Sequence, residues 1–324
     1  QPEITFQTIE GIGGAFNEIG GEALAATSKE DKNALMKQLF SDEGAGFTFC
    51  RTAIGASDFG IDAYSYSMVA DDYAQKHFSI ERDKKYVLPY IKSAFAGNPD
   101  LILFASPWSL PGWMKESGEM VGLKEPNNNL KQDSKTLKAY AKYFVKYIQA
   151  YENEGVRIDR ICIQNENDAN TKYPSCTFPA KEMVKFANNY LIPAFNKNDI
   201  QTKVYAGSTT FTYWNMILNE TTESGWDWPQ NSLINIHRKT GEITYNPDYN
   251  AMYILSKFIK PGDVRIACVQ RGKEPLISVK SPNGTIKVLI QNTNANDKTF
   301  EVVMGDKNVK SKSPGKSITA VVLN

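Results

Sequence analysis

The sequence predicts an α/β protein: parallel βα units with a site beyond the carboxyl ends of their strands, followed by a small antiparallel sandwich. Three observations predict it. Short apolar runs alternate with helix-period runs from about residue 10 to residue 260, several apolar runs end in polar or aromatic residues, and beyond 260 only short strand-like runs separated by turn residues remain. A chain of 324 residues also exceeds what one core usually sustains. Two units are therefore expected, residues 10–260 and a sandwich built from residues 1–9 with 261–324.

The elements follow in order. After an extended start, "IEGIGGAFNEIGGEAL" sets Gly11, Gly13 and Gly14 ahead of a helix-like run. The third glycine of a GxGxxG fingerprint would fall at position 16, which is Phe16, so nucleotide binding is rejected and the glycines are read as permitting a tight strand-to-helix turn. Ser28 opens a helix to about Phe40, with Asp31 in its first turn. "GFTFCRTAI" reads as a buried strand, Glu81 to Ala96 as a helix, and "LILFASPW" as a second strand ended by Pro107. Leu130 to Glu154 repeats apolar residues at helical spacing, and "VRIDRICIQNEN" returns as a strand. Pro179 to Phe195 is a helix, and "TKVYAGS" and "FTYWNMIL" are strands. Asn246 begins a last helix with Pro247 in its first turn, ending at Pro261 and Gly262. "VRIACVQ", "LISVKSP", "TIKVLIQNTN", "TFEVVMG" and "KSITAVVLN" then form the sandwich, with Asn283-Gly284 as a hairpin turn and the opening strand as a further partner.

Composition narrows the ligand. Lysine and arginine total 37 against 36 acidic residues, so no net field draws the chain to nucleic acid or anionic lipid. No apolar span of 18 residues is present, and no membrane span is expected. The start at Gln1 carries no leader pattern, and the chain reads as a secreted or periplasmic form whose leader has been removed. His77 and His237 are the only histidines, neither near a second ligand, and Cys50, Cys162, Cys176 and Cys268 match no metal or disulfide spacing. No metal and no cofactor are expected. The short sequons at Asn219 and Asn283 carry no weight, and the oligomeric state is left open.

Four strand ends carry groups a core would not choose: Arg51 with Asp58, Trp108 with Trp113, Asn165 with Glu166, and Trp214 with Asn215. Each also has a plain reading. Arg51 fits a buried ion pair, Asp58 a turn, and a lone strand-end Trp the core. Their convergence on one side of a parallel sheet points to a sugar site, with an indole face for the ring, Asp and Asn for hydroxyls, and Glu for proton transfer.

The segments "GIGGAFNEIGG", "FCRTAIGASDFGIDAYSYS", "FSIERD", "FASPWSLPGWMK", "IQNEN", "YPSC", "YWNMIL", "GWDWPQNSLI" and "YNPDYNAMYILSKFIKPG" resemble glycoside hydrolase family 30, the family of β-1,6-glucanases and glucosylceramidases. The resemblance runs in order over nearly the whole chain. It implies a (β/α)8 barrel with a side β-sandwich built from both chain ends, and cleavage of β-glucosides with retention by two Glu residues. Carried over, Glu166 matches the acid/base, Asn165 and Asp58 would hold sugar hydroxyls, and Trp108 and Trp214 would line the subsite. Arg51 supports them. Asn167 stands where the family commonly has Pro. The implied partner is a β-linked glucan or glucoside.

Retention needs a second carboxyl about 5 to 5.5 Å from the first. In the family that Glu ends the seventh strand, between the counterparts of "KVYAGS" and "YWNMIL", where this sequence has only Thr209 to Thr212. Position 214 follows position 166 by 48, whereas three further βα units need on the order of ninety residues. The sixth and seventh units and the nucleophile are therefore read as absent, leaving a barrel that closes with six strands or stays open. Glu220, Glu223 and Asp227 read as solvated loop acids and Glu18 as a local anchor. The alternative function is a carbohydrate-binding protein without catalysis.

Overall fold

A computed structural model describes residues 1–122, 127–205 and 210–324. Strand β1 (Thr5–Thr8) precedes β2 (Gly11–Phe16), whose six residues are all buried. Asn17 leaves the strand and caps α1 (Glu18–Ala25), its Oδ1 accepting from the Gly20 N–H at 2.7 Å. Ser28 caps α2 (Lys29–Phe40) as expected. The alternation continues through β3 (Phe49–Ala53), α3 (Val87–Gly97), β4 (Ile102–Ser106), α4 (Ser134–Asn153), β5 (Arg160–Ile161), α5 (Ala180–Phe186), α6 (Ile192–Lys197), β6 (Lys203–Val204) and β7 (Thr210–Tyr213). One sheet in the order β6-β5-β4-β3-β2-β7 joins them, every pair parallel.

The glycines before α1 do not serve a tight turn. They lie inside β2, where a Cβ on Gly13 would sit 2.3 Å from the Phe49 carbonyl oxygen and one on Gly14 2.1 Å from Met216 Cγ. Close approach of neighbouring backbone and side chain demands glycine there; Asn17, not glycine, makes the exit into the helix.

Several boundaries moved for local reasons. The helix expected from Glu81 begins as a 3-10 turn over Glu81–Lys84, because Asp83 turns inward to accept hydroxyls from Tyr64, Tyr66 and Tyr151. Burial pushes that carboxyl up to about 6, while the hydroxyls pull it down. Helix α4 starts at Ser134 because Asp133 accepts from the Lys135 and Thr136 N–H groups. Its inner face carries Tyr140, Tyr143, Tyr147 and Tyr151 at three- and four-residue spacing, and Tyr66 stacks on Tyr143 and Tyr147 at 5.8 and 5.7 Å. The helix expected over 179–195 is α5 and α6 joined by a π turn at Ala187–Leu191, which ends two residues before Pro193, a residue with no N–H to continue an α-helical ladder.

The strand expected in "TKVYAGS" is β6 at its start; residues 206–209 lie outside the described residues. Five residues separate β6 from β7. A crossover between adjacent parallel strands takes a dozen or more. Among the described residues β6 and β7 do not pair, so the sheet is open between them.

"FTYWNMIL" is two strands, not one. Strand β8 (Ile217–Asn219) pairs in parallel with β9 (Ile234–Ile236), itself antiparallel to β10 (Ile243–Tyr245). The break falls at Asn215, whose side chain is held by Asn17, Gln230 and the Asn231 carbonyl. After α7 (Pro247–Phe258) come β11 (Val264–Ile266), β12 (Leu276–Lys280), β13 (Ile286–Asn292), β14 (Lys298–Met304), β15 (Lys307–Ser313) and β16 (Ser317–Leu323). The opening strand joins them as expected, in the order β1-β11-β12-β13-β16. Strand β15, unforeseen in a lysine-rich stretch, makes a hairpin with β14.

Candidate active site

The site is assembled around Arg51, which lies on β3 between β2 and β4. Its guanidinium donates to Ser106 Oγ from Nε at 3.1 Å and from Nη2 at 2.6 Å, and to Asn165 Oδ1 at 2.6 Å. The Asn165 N–H in turn donates to the Pro107 carbonyl at 2.8 Å. Backbone and side chain of Asn165 are thus both held at the end of β4. The Arg51 Cζ sits 4.4 Å from the centre of the Trp108 ring and 5.5 Å from that of Trp214. Burial lowers the guanidinium to about 10, opposed by the charges of Cys162, Asp58 and Glu166, so it stays cationic at neutrality.

Trp108 and Trp214 stack on each other, centroids 4.6 Å apart and planes 23° apart. They form one aromatic slab rather than two separated walls. The Trp214 Nε1–H donates to Asp58 Oδ2 at 3.3 Å. Asp58 is 6% exposed, and its Oδ1 is buried with no partner. Burial pushes this carboxyl up to about 7; the Trp214 N–H pulls it down, the Glu166 charge adds to the rise, and Arg51 opposes it.

Glu166 is solvent-exposed on the rim of a cavity of about 600 Å³. Its charge acts on Asp58, Arg51 and Tyr173, which places all four groups in one electrostatic cluster. Tyr173 had no role in the sequence reading beyond its place in "YPSC". Burial and then the Glu166 carboxylate raise its phenol above the ordinary value, and its ring meets Trp228 at 6.2 Å. Lys115 braces that loop: fully buried, it donates to the Met120 and Ser175 carbonyls at 3.2 and 2.8 Å, and burial lowers it to about 8.

Other candidates lie outside the cluster. The Trp113 Nε1–H donates to the Ser67 carbonyl and its ring packs edge-on to Tyr73. Asn215, 1% exposed, has both polar atoms of its side chain engaged within the frame. Glu18 accepts from Arg82 and from the Ile61 N–H, and Glu220 is paired with Arg238. Glu223 and Asp227 are exposed. Among the described residues, Asp58 is the acid seen to couple with Glu166.

Polar and indole groups gather beyond the strand ends of a parallel βα sheet, the face at which βα-barrel proteins carry their sites. Residues 9–204 match the model of the glycosyl hydrolase family 30 TIM-barrel domain, and the chain belongs to that family. It is 34% identical over 211 residues to the endo-1,6-beta-D-glucanase BGN16.3 of Trichoderma harzianum, covering 62% of this chain and 43% of that protein. It is 31% identical over 214 residues to the lysosomal acid glucosylceramidase of Mus musculus, covering 63% and 40%. The chain thus spans about two fifths of the length of these curated relatives. Its fold is similar to that of SrfJ from Salmonella typhimurium, with a TM-score of 0.92 at 19% identity over 99% of this chain and 91% of that one.

Proposed function

We propose that this chain carries the acid/base half of a retaining β-glycoside hydrolase site acting on β-glucosides, of the β-1,6-glucan or glucosylceramide-like kind, the carboxylate that would attack the anomeric carbon not being found among its residues. Glu166 protonates the leaving oxygen and later activates water. Asn165 and Asp58 take sugar hydroxyls, the Trp108–Trp214 slab takes the apolar face of the ring, and Arg51 supports them. The observation that carries this reading is the coupling of Glu166 and Asp58 around one arginine that also fixes Asn165 at 2.6 Å. Glycan substrates of this kind suit a secreted or periplasmic setting. Glu166→Gln is expected to retain binding of a β-glucoside while turnover of an activated aryl β-glucoside falls by about 10²–10⁴. Equal turnover in both forms rejects the assignment of Glu166.

A second reading, a carbohydrate-binding protein without catalysis, is favoured by the engagement of Glu18 and Glu220 elsewhere. Residues 206–209 are Ala-Gly-Ser-Thr and contribute no carboxyl either. A 2-deoxy-2-fluoro β-glucoside separates the two readings. The hydrolase gains the mass of one glycosyl group; the binder gains none.

A further inference from the structure

Asp58 is buried, its Oδ1 has no partner, and the Glu166 charge acts on it. A carboxyl so placed gains by swinging out to water, so the loop that carries it has to be held from outside the site. The holding groups come from two neighbours in the 3-10 turn Glu81–Lys84, Arg82 and Asp83, which the proposed chemistry does not use.

Asp83 works on the side before Asp58. It is buried and accepts the hydroxyls of Tyr64 at 2.7 Å, of Tyr66 at 2.6 Å and of Tyr151. The Tyr66 hydroxyl, its proton committed to Asp83, accepts the Gly55 N–H at 2.8 Å, and the Tyr64 carbonyl accepts the Ala56 N–H at 3.0 Å. Gly55 lies three residues before Asp58 with a φ of +77°, so this hydrogen bond fixes the turn by which the chain leaves β3. Arg82 works on the side after Asp58. Its guanidinium donates to Glu18 Oε1 at 2.9 Å and Oε2 at 3.2 Å and pairs with Asp62, its Cζ 4.1 Å from the centre of the Tyr64 ring. Glu18 Oε2 in turn accepts the N–H of Ile61, three residues beyond Asp58, at 2.8 Å.

We infer that Arg82 and Asp83 are positioning residues for Asp58, holding the loop on either side of it so that its carboxyl stays against Trp214 and open to a sugar hydroxyl. The inference rests on the glycoside reading for the hydroxyl, whereas the placement of the carboxyl can be read without any sugar.

That placement is read by the Trp214 indole N–H resonance in a nitrogen-proton correlation spectrum, because this group donates to Asp58 Oδ2 at 3.3 Å. Trp214→Phe assigns the resonance, and Asp58→Asn shows how it moves when the carboxylate is lost at pH 8. Tyr66→Phe cuts the tie to Gly55, and Arg82→Gln the ties to Glu18 and Asp62. Each is expected to move the resonance in the direction of Asp58→Asn. Tyr151→Phe takes from the same Asp83 a hydroxyl that makes no hydrogen bond to the loop, so it should lower stability as Tyr66→Phe does yet leave the resonance in place. Calorimetric affinity for phenyl 1-thio-β-D-glucoside should fall about tenfold in Tyr66→Phe and Arg82→Gln, the worth of one hydrogen bond, and change by less than about twofold in Tyr151→Phe. An unmoved resonance in either folded variant overturns the inference. So does a shift in Tyr151→Phe as large as in Tyr66→Phe, which marks the tyrosine cluster as packing alone, and so does equal affinity of the wild-type chain and both variants for the thioglucoside. If the wild-type chain binds no thioglucoside, the glycoside reading fails and the resonance alone decides the inference. If Tyr66→Phe does not fold, Arg82→Gln, at a side chain one third exposed, still decides.

Discussion

Replacing Asp58 by asparagine should stabilise the folded chain at pH 8 and destabilise it by about 1 kcal/mol at pH 4.5. Burial holds the Asp58 carboxyl at about 7, raised from 3.8, with Glu166 adding to the rise. A carboxyl whose folded pKa lies above its unfolded one contributes stability that is fully present below the unfolded value. That contribution is lost as pH rises through the folded value. Three units correspond to about 4 kcal/mol by pH 8. Asparagine keeps an oxygen for the Trp214 Nε1–H, but its amino group meets the site where Oδ1 has no partner, so part of the gain is lost. A net stabilisation of about 2 kcal/mol at pH 8 remains. Urea unfolding of both proteins at pH 4.5, 6 and 8 measures it, and the difference between them separates Asp58 from Asp83, which titrates in the same direction. Equal destabilisation by the variant at pH 4.5 and pH 8 would refute the reasoning. A stability gain together with lost β-glucoside affinity is the signature of a residue kept for function rather than folding.

Tyr66→Phe removes a hydroxyl that donates to Asp83 and accepts the Gly55 N–H at 2.8 Å, and should cost about 1.5–3 kcal/mol in denaturant unfolding above pH 6, where Asp83 is ionised. The loss should shrink toward pH 4.5; a loss independent of pH would contradict a titrating Asp83. Gly13→Ala drives a methyl group into the Phe49 carbonyl and should destabilise by about 1–3 kcal/mol, a result that a wild-type midpoint would overturn. Cys50 and Cys176, buried with thiols pushed up to about 12, should resist an aromatic disulfide reagent in the native state while exposed Cys268 reacts first; early labelling of Cys50 would contradict the packing of β2 on β3.

The parallel alternation, the Ser28 cap and the pairing of the opening strand with the late strands were legible because they depend on local period and turn chemistry. The loss of β-period at Asn215 was not, since its side chain accepts from Asn17 and donates to Gln230, which breaks the strand there. Nor was β15, where a hairpin partner overrides a lysine-rich run. The glycines of β2 were misread because the crowding that requires them comes from Phe49 and Met216, remote in sequence.

By itself the sequence determined the order of strands and helices, the adjacency of Asn165 and Glu166 at a strand end, and the short span from β6 to β7, all of which are matters of pattern and count. Only the tertiary structure decided that Arg51 reaches across 114 positions to hold Asn165, that Trp108 stacks on Trp214, and that Asp58 sits dry enough to keep its proton toward neutrality. Solvation and angular placement arise from residues brought together by packing, and no count along the chain contains them.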